Sequence, residues 1–221
     1  MLRNLFRSYW DLPRMIHMLI MLEFTLSLIH VAFILVLNIF LRKQGFSDPE
    51  IASFNSLRFI GALIFAFPLG IYIRGKKLKP FFLLAAIIVP ITSALIIESV
   101  HNETIPLIKL SFLLWGVGMM LMRVCSLPFI IRNTTQDNST EALSLSASTW
   151  SLATIFSGII ISGLDWMNYY SFGSWIIYFN ERNILWIITI LGISAIIFAL
   201  RITEKAPDNI QKDSNVFSLY K

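Results

Sequence analysis

The stretch Phe67-Pro68-Leu69-Gly70-Ile71-Tyr72-Ile73-Arg74-Gly75-Lys76-Lys77 closes one long apolar run and almost at once gives way to another. The first run covers residues 51–73 and the second 80–98. A helix that crosses a bilayer needs roughly 20 mostly apolar residues, so each run suffices for one crossing. Run, basic turn and run therefore read as two antiparallel membrane helices joined on one side. Working outward, four more runs qualify, at 15–41, 107–131, 143–164 and 184–202. The connections at 45–49, 75–79, 102–106, 133–140 and 165–182 are short, and Pro or Gly punctuates several of them. The runs are continuous, unlike the alternating segments of about ten residues that build a barrel. The expected fold is an all-α integral membrane protein, a six-transmembrane-helix bundle over residues 15–202. It is flanked by an interfacial segment, 1–14, and a polar tail, 203–221.

Composition agrees. Of the 221 residues, 56% are hydrophobic and only 14% are charged, and the mean hydropathy is +0.71. Soluble domains carry about 25% charged residues, and disorder requires low hydrophobicity, so neither class fits. The net charge of +5 falls in short clusters between apolar runs, without zinc-finger spacing or a basic face on a soluble element, so no nucleic-acid partner is expected. The single cysteine, Cys125, forbids an internal disulfide and reads as a small packing residue.

Before the first run, Leu2, Leu5, Phe6, Tyr9 and Trp10 recur at helical spacing, with Arg3, Arg7 and Arg14 largely opposite. That pattern suits an amphipathic helix lying in the membrane interface. A cleaved signal peptide is disfavoured, because the next run is too long, contains Glu23 and lacks a small-x-small cleavage site. Lys and Arg set orientation. Counted on alternating sides, twelve fall with the termini and four (Arg42, Lys43, Lys109 and Arg182) on the other side, while Arg58 and Arg123 lie inside runs. Both termini are expected in the cytoplasm, in a cell membrane.

Six helices with both ends inside, a basic second-to-third loop and a polar tail resemble the N-terminal half of a major facilitator superfamily transporter, over about residues 10–205. In that family the second helix is followed by Gly, then Asp-Arg, then Gly and basic residues. Gly70, Arg74, Gly75, Lys76 and Lys77 are similar to this gate-like cytoplasmic motif, at compressed spacing and without the Asp. Trp115-Gly116-Val117-Gly118 with Pro128 resembles the family's Gly-rich fourth helix, although the position of its usual Arg is held by Phe112. Ser157-Gly158-Ile159-Ile160-Ile161-Ser162-Gly163 looks like the small-residue fifth helix, without the Gly-Pro signature of drug–proton antiporters. The resemblance implies solute transport by alternating access, driven by ion or solute gradients, with no covalent chemistry and no organic cofactor. Family members enclose substrate between two six-helix halves, each built of 3+3 inverted repeats. The chain stops where a second half would start. The resemblance thus implies a split or truncated carrier, paired with a second six-helix chain or with its own copy.

Ionisable and polar residues inside the membrane are costly and mark functional candidates. Glu23, Ser27, His30 and Asn38 fall within roughly an 80° arc at 100° per residue, which suits a cavity-lining stripe for a small-molecule or ion substrate. Polar groups that bond neighbouring helices are the alternative. His30 is a possible proton carrier or a structural histidine; with His17 near an edge and His101 in a loop, no metal site is expected. Arg58 either contacts substrate or a partner helix, or snorkels. Trp115, Met119 and Arg123 share a face of the fourth run and could grip an anionic or ring-bearing substrate. Ser144, Ser148, Ser151, Gly158 and Ser162 share a face of the fifth, read as a helix-packing seam. By depth, Glu23 and Arg123 match, and they are expected to pair or to hold substrate or proton in exchange. Intramembrane protease, HExxH, P-loop and dinucleotide motifs do not occur, so no enzyme activity is expected. The rival reading is a six-helix membrane scaffold or assembly subunit without transport.

Overall fold

The computed structural model describes residues 9–136, 138–167, 169–172 and 175–204, so most of the expected interfacial segment and of the polar tail lies outside the described residues. Among the described residues six helices are long and apolar enough to cross a membrane: α1 (Arg14–Lys43), α2 (Asp48–Tyr72), α3 (Lys79–His101), α4 (Ile105–Asn133), α5 (Ser139–Met167) and α6 (Glu181–Arg201). Each expected run matches one helix to within a few residues.

Local chemistry sets the boundaries. Before α2, Glu50 reaches back to accept from the backbone N–H of Ser47 (2.9 Å) and from its hydroxyl (2.7 Å), closing a capping box. Asn180 accepts from the Asn183 N–H at 2.9 Å and so starts α6. After α2, Gly75 takes φ of +64°, a conformation that a Cβ disfavours. Two helices are irregular inside. In α1, residues Phe33–Leu37 are π-helical, and α6 divides into Glu181–Gly192 and Ala195–Arg201.

One connection differs from expectation. Residues 165–182 read as a plain loop, yet β1 (Tyr169–Phe172) and β2 (Trp175–Tyr178) pair antiparallel there, with Tyr169 opposite Tyr178. The signal was two aromatic and branched tetrapeptides flanking Gly173-Ser174 in the sequence, a two-residue hairpin pattern.

In the main packing, α1 lies against α5 and α6, α4 against α2 and α3, and α3 against α6. Exchanging the first three helices with the last three leaves this pattern unchanged. Because each set has three helices, the two sets run in opposite senses. The closest approaches also correspond. A Cβ on Gly61 of α2 would strike the Leu113 carbonyl of α4, and on the other side Ser157 of α5 donates to the Leu28 carbonyl of α1 at 3.3 Å. Gly116 likewise admits the Arg58 carbonyl of α2, while Gly118 faces Ile88 and Val89 of α3. The Gly-x-Gly pair of α4 thus lets in a different neighbour on each side.

The core lies among α1, α3, α4 and α6, where Leu19, Leu22, Phe82, Val89, Phe112 and Phe129 are fully buried. By contrast, α2 and α5 each turn an apolar face outward, with Leu63 and Phe67 75% and 77% exposed and Ile159 64%. The serine stripe expected to pack is on that outward face. Ser144, Ser148, Ser151 and Ser162 are exposed, and Gly158 has nothing within 4 Å of where a Cβ would stand. The seam of α5 is instead Ala142, Thr149, Ala153 and Ser157; the helix has small residues on two faces, and α1 uses the other one.

Side chains tie both ends. Where α1 begins, Arg132 of α4 donates to the carbonyls of Lys76 (2.8 Å) and Ile73 (3.4 Å). Glu204 accepts from the N–H groups of Leu78 (2.6 Å) and Lys79 (3.1 Å), an anion at the start of α3. The chain is therefore anchored through residue 204, past the expected start of a solvated tail at 203. At the opposite end, ion pairs join Arg42 to Asp48 (2.9 Å), Lys43 to Glu181 (2.6 Å) and Arg182 to Glu98 (2.8 Å).

Candidate functional site

Between α1, α4 and α5, toward the end where α1 begins, lies a cavity of about 570 Å³ whose polar wall is Glu23, Ser27, Arg123, Ser126, Ser146 and Thr149. Met119, Met122, Leu127 and Trp150 supply much of the apolar wall. That size lies within the range of roughly 300–1,000 Å³ common for small-molecule sites. The lining follows from helical spacing. Glu23 and Ser27 are one turn apart on α1, Met119 and Arg123 on α4, and Ser146 and Trp150 on α5, so each helix presents one short stripe.

The two charges in the wall have separate partners. Glu23 is half-buried and accepts from the Ser146 hydroxyl at 2.7 Å. The Arg123 guanidinium sits 5.2 Å from the ring centre of Trp150, a cation–π arrangement. Among the described residues no ion pair joins Glu23 to Arg123 within 4.0 Å. The expected direct pair is therefore not made: Glu23 has the hydroxyls of Ser126 on α4 and Ser146 on α5 beside it, and Arg123 has the Trp150 ring. The similar depth expected of them holds, in that both line one cavity.

Above the cavity a row of rings crosses the bundle. His30 stacks on Trp115, with centroids 5.0 Å apart and planes at 26°. Its other side meets Trp150 at 4.9 Å and 60°. Arg58 of α2 places its guanidinium 5.2 Å from the Trp115 ring and 4.7 Å from that of Phe59. The sequence Arg58, Trp115, His30, Trp150, Arg123 thus links α2, α4, α1 and α5, a cation at each end. Arg58 is half-buried and held over rings. Trp115 is fully buried and does not line the cavity, although it shares a helix face with Met119 and Arg123, which do. His30 Nδ1 and Trp115 Nε1 are buried without a hydrogen-bond partner among the described residues.

Asn38 stands apart, its side-chain oxygen accepting from Asn55 of α2 at 3.1 Å. The π-helical turn explains the offset. Its i→i+5 bonds wind more slowly than the α-helical 100° per residue on which the stripe was projected, so everything beyond Phe33 is rotated away. The gate-like motif lies at the end of α2 and in the following turn. Gly70 is inside α2, and Arg74, Gly75, Lys76 and Lys77 are exposed. Lys76 Nζ lies 3.3 Å from the Tyr72 ring centre, and Arg132 and Glu204 link the turn to the rest of the bundle.

Sequence reasoning missed Ser146 and Trp150. The available signal was their i,i+4 spacing on a helix whose other face is serine-rich. Comparison of the chain with protein-family models, with curated proteins and with solved structures gave no match in any of the three.

Proposed function

We propose that the chain is a membrane-embedded six-helix half of a secondary carrier of the major facilitator kind, with both termini in the cytoplasm, moving a small solute by alternating access. The observation that carries the reading is the charged cavity set within a bundle whose packing survives exchange of its two three-helix sets. Inverted three-helix repeats around a central site are the construction expected of such carriers. The cavity lies at the basic end, on the cytoplasmic side in this orientation, while ion pairs tie the opposite end together. The outward apolar faces of α2 and α5 fit an opposing bundle, supplied by a second half or a second copy. Carriage needs binding groups rather than a nucleophile, and a carboxylate, a guanidinium, hydroxyls and aromatic rings are what the cavity has.

Reconstitution tests this. Vesicles containing the chain and an opposing six-helix bundle should take up solute, and Arg123→Gln or Glu23→Gln should reduce the rate severalfold. Uptake of the same size by a monomer alone would count against the need for an opposing bundle. A stable assembly that carries nothing across any gradient would favour the membrane-scaffold reading.

A further inference from the structure

The two wall charges specify more than a cavity. Ser146, which holds Glu23, and Trp150, which holds Arg123, are four residues apart on α5, a rise of about 6 Å along one helix face. The carboxylate and the guanidinium therefore face the same space from anchors one helical turn apart, without a direct ion pair between them among the described residues. Glu23 is half-buried and Arg123 is exposed at the cavity, and neither group has a counter-charge there among the described residues, which for a carboxylate partly withdrawn from water is costly. A purely anionic ligand would meet Glu23, and a purely cationic one would meet Arg123. A ligand carrying both signs neutralises both. The ammonium and carboxylate of an α-amino acid sit on one carbon and, with a hydrogen bond of about 2.9 Å at each end, span a separation too wide for a direct ion pair. The neighbouring Met119, Met122 and Leu127 leave an apolar wall for the ligand's remaining substituent.

We infer that the cavity between α1, α4 and α5 binds a small zwitterion with an apolar side group, its cation on Glu23 and its anion on Arg123. This rests on the carrier reading for its purpose, but its test does not require transport. The purified chain in lipid nanodiscs is melted with two matched sets of probes at millimolar concentration. One is L-leucine, 3-methylbutylamine and 4-methylpentanoate; the other is L-phenylalanine, 2-phenylethylamine and 3-phenylpropionate. The expected result is a rise in the unfolding midpoint with at least one amino acid, and a several-fold weaker apparent affinity for the amine and the acid that match it. Glu23→Gln should abolish the preference for the amino acid over its acid, and Arg123→Gln the preference over its amine. Ser146→Ala keeps both charges, so it should weaken zwitterion binding several-fold without reversing the ranking, even where a charge variant folds poorly. Acids that bind as well as amino acids would overturn the two-charge site and make it an anion site, leaving the carrier reading untouched. No response to any of the six probes would also overturn it. Zwitterion binding without uptake in the paired vesicles would instead uphold this inference and sink the carrier reading.

Discussion

A methyl group placed on Gly116 would run into the backbone carbonyl of Arg58, whereas one on Gly158 would meet nothing within 4 Å. Gly116→Ala should therefore push α2 away from α4 and cost about 1–3 kcal/mol, as overpacking a tight seam does. Gly158→Ala should leave stability unchanged in the isolated chain. Melting of the two purified variants in detergent, followed by size-exclusion profile, checks this; equal midpoints would show that the α2–α4 seam is looser than described. At this scale the sequence was readable where a helix kept its regular winding. Glu23 and Ser27, four apart, line the cavity as their spacing predicts, and so do Met119 and Arg123. Beyond the π-helical turn the projection drifts, and Asn38 bonds Asn55 instead. Nothing in Phe33-Ile34-Leu35-Val36-Leu37 marks the change of winding, since every residue there is apolar and of similar helix preference.

The elements were legible because continuous apolar length is a strong signal, whereas the starts of α2 and α6 came out three residues late because the caps at Ser47 and Asn180 lie outside the apolar runs. Which face of α5 packs was not legible, since both faces carry small residues and only the partner's shape chooses between Ala153 and Ser151. The α2–α3 turn offers a test at this scale. Its two carbonyl acceptors are held by one side chain of α4, Arg132. Arg132→Gln should loosen the turn without unfolding α2 or α4, at a cost of about 1 kcal/mol for exposed charged hydrogen bonds. Limited trypsin digestion reads the change directly, because Arg74, Lys76 and Lys77 are exposed cleavage sites. Cleavage there should be several times faster in the variant; an unchanged rate would mean that Glu204 or the turn's own backbone holds it without Arg132.

Across the whole chain, twelve Lys and Arg residues fall on the side of the termini and four on the other, and this asymmetry carries the orientation proposed above. With Cys125 replaced by Ala, single cysteines at Asn102 and at Lys77 should label from opposite sides of sealed vesicles, Asn102 from outside the cell. Labelling of Lys77→Cys from outside would invert the topology and move the cavity mouth to the other compartment. The row from Arg58 through Trp115, His30 and Trp150 to Arg123 bears on the molecule at this scale too. It crosses α2, α4, α1 and α5 near the middle of each helix, through one stacked pair, one edge contact and two cation–π contacts. A tilt of any one of these helices would drag the other three. In the proposed carrier, this cross-link at the waist would leave the change of compartment to a swing of the whole body against an opposing bundle, with the pivot outside it.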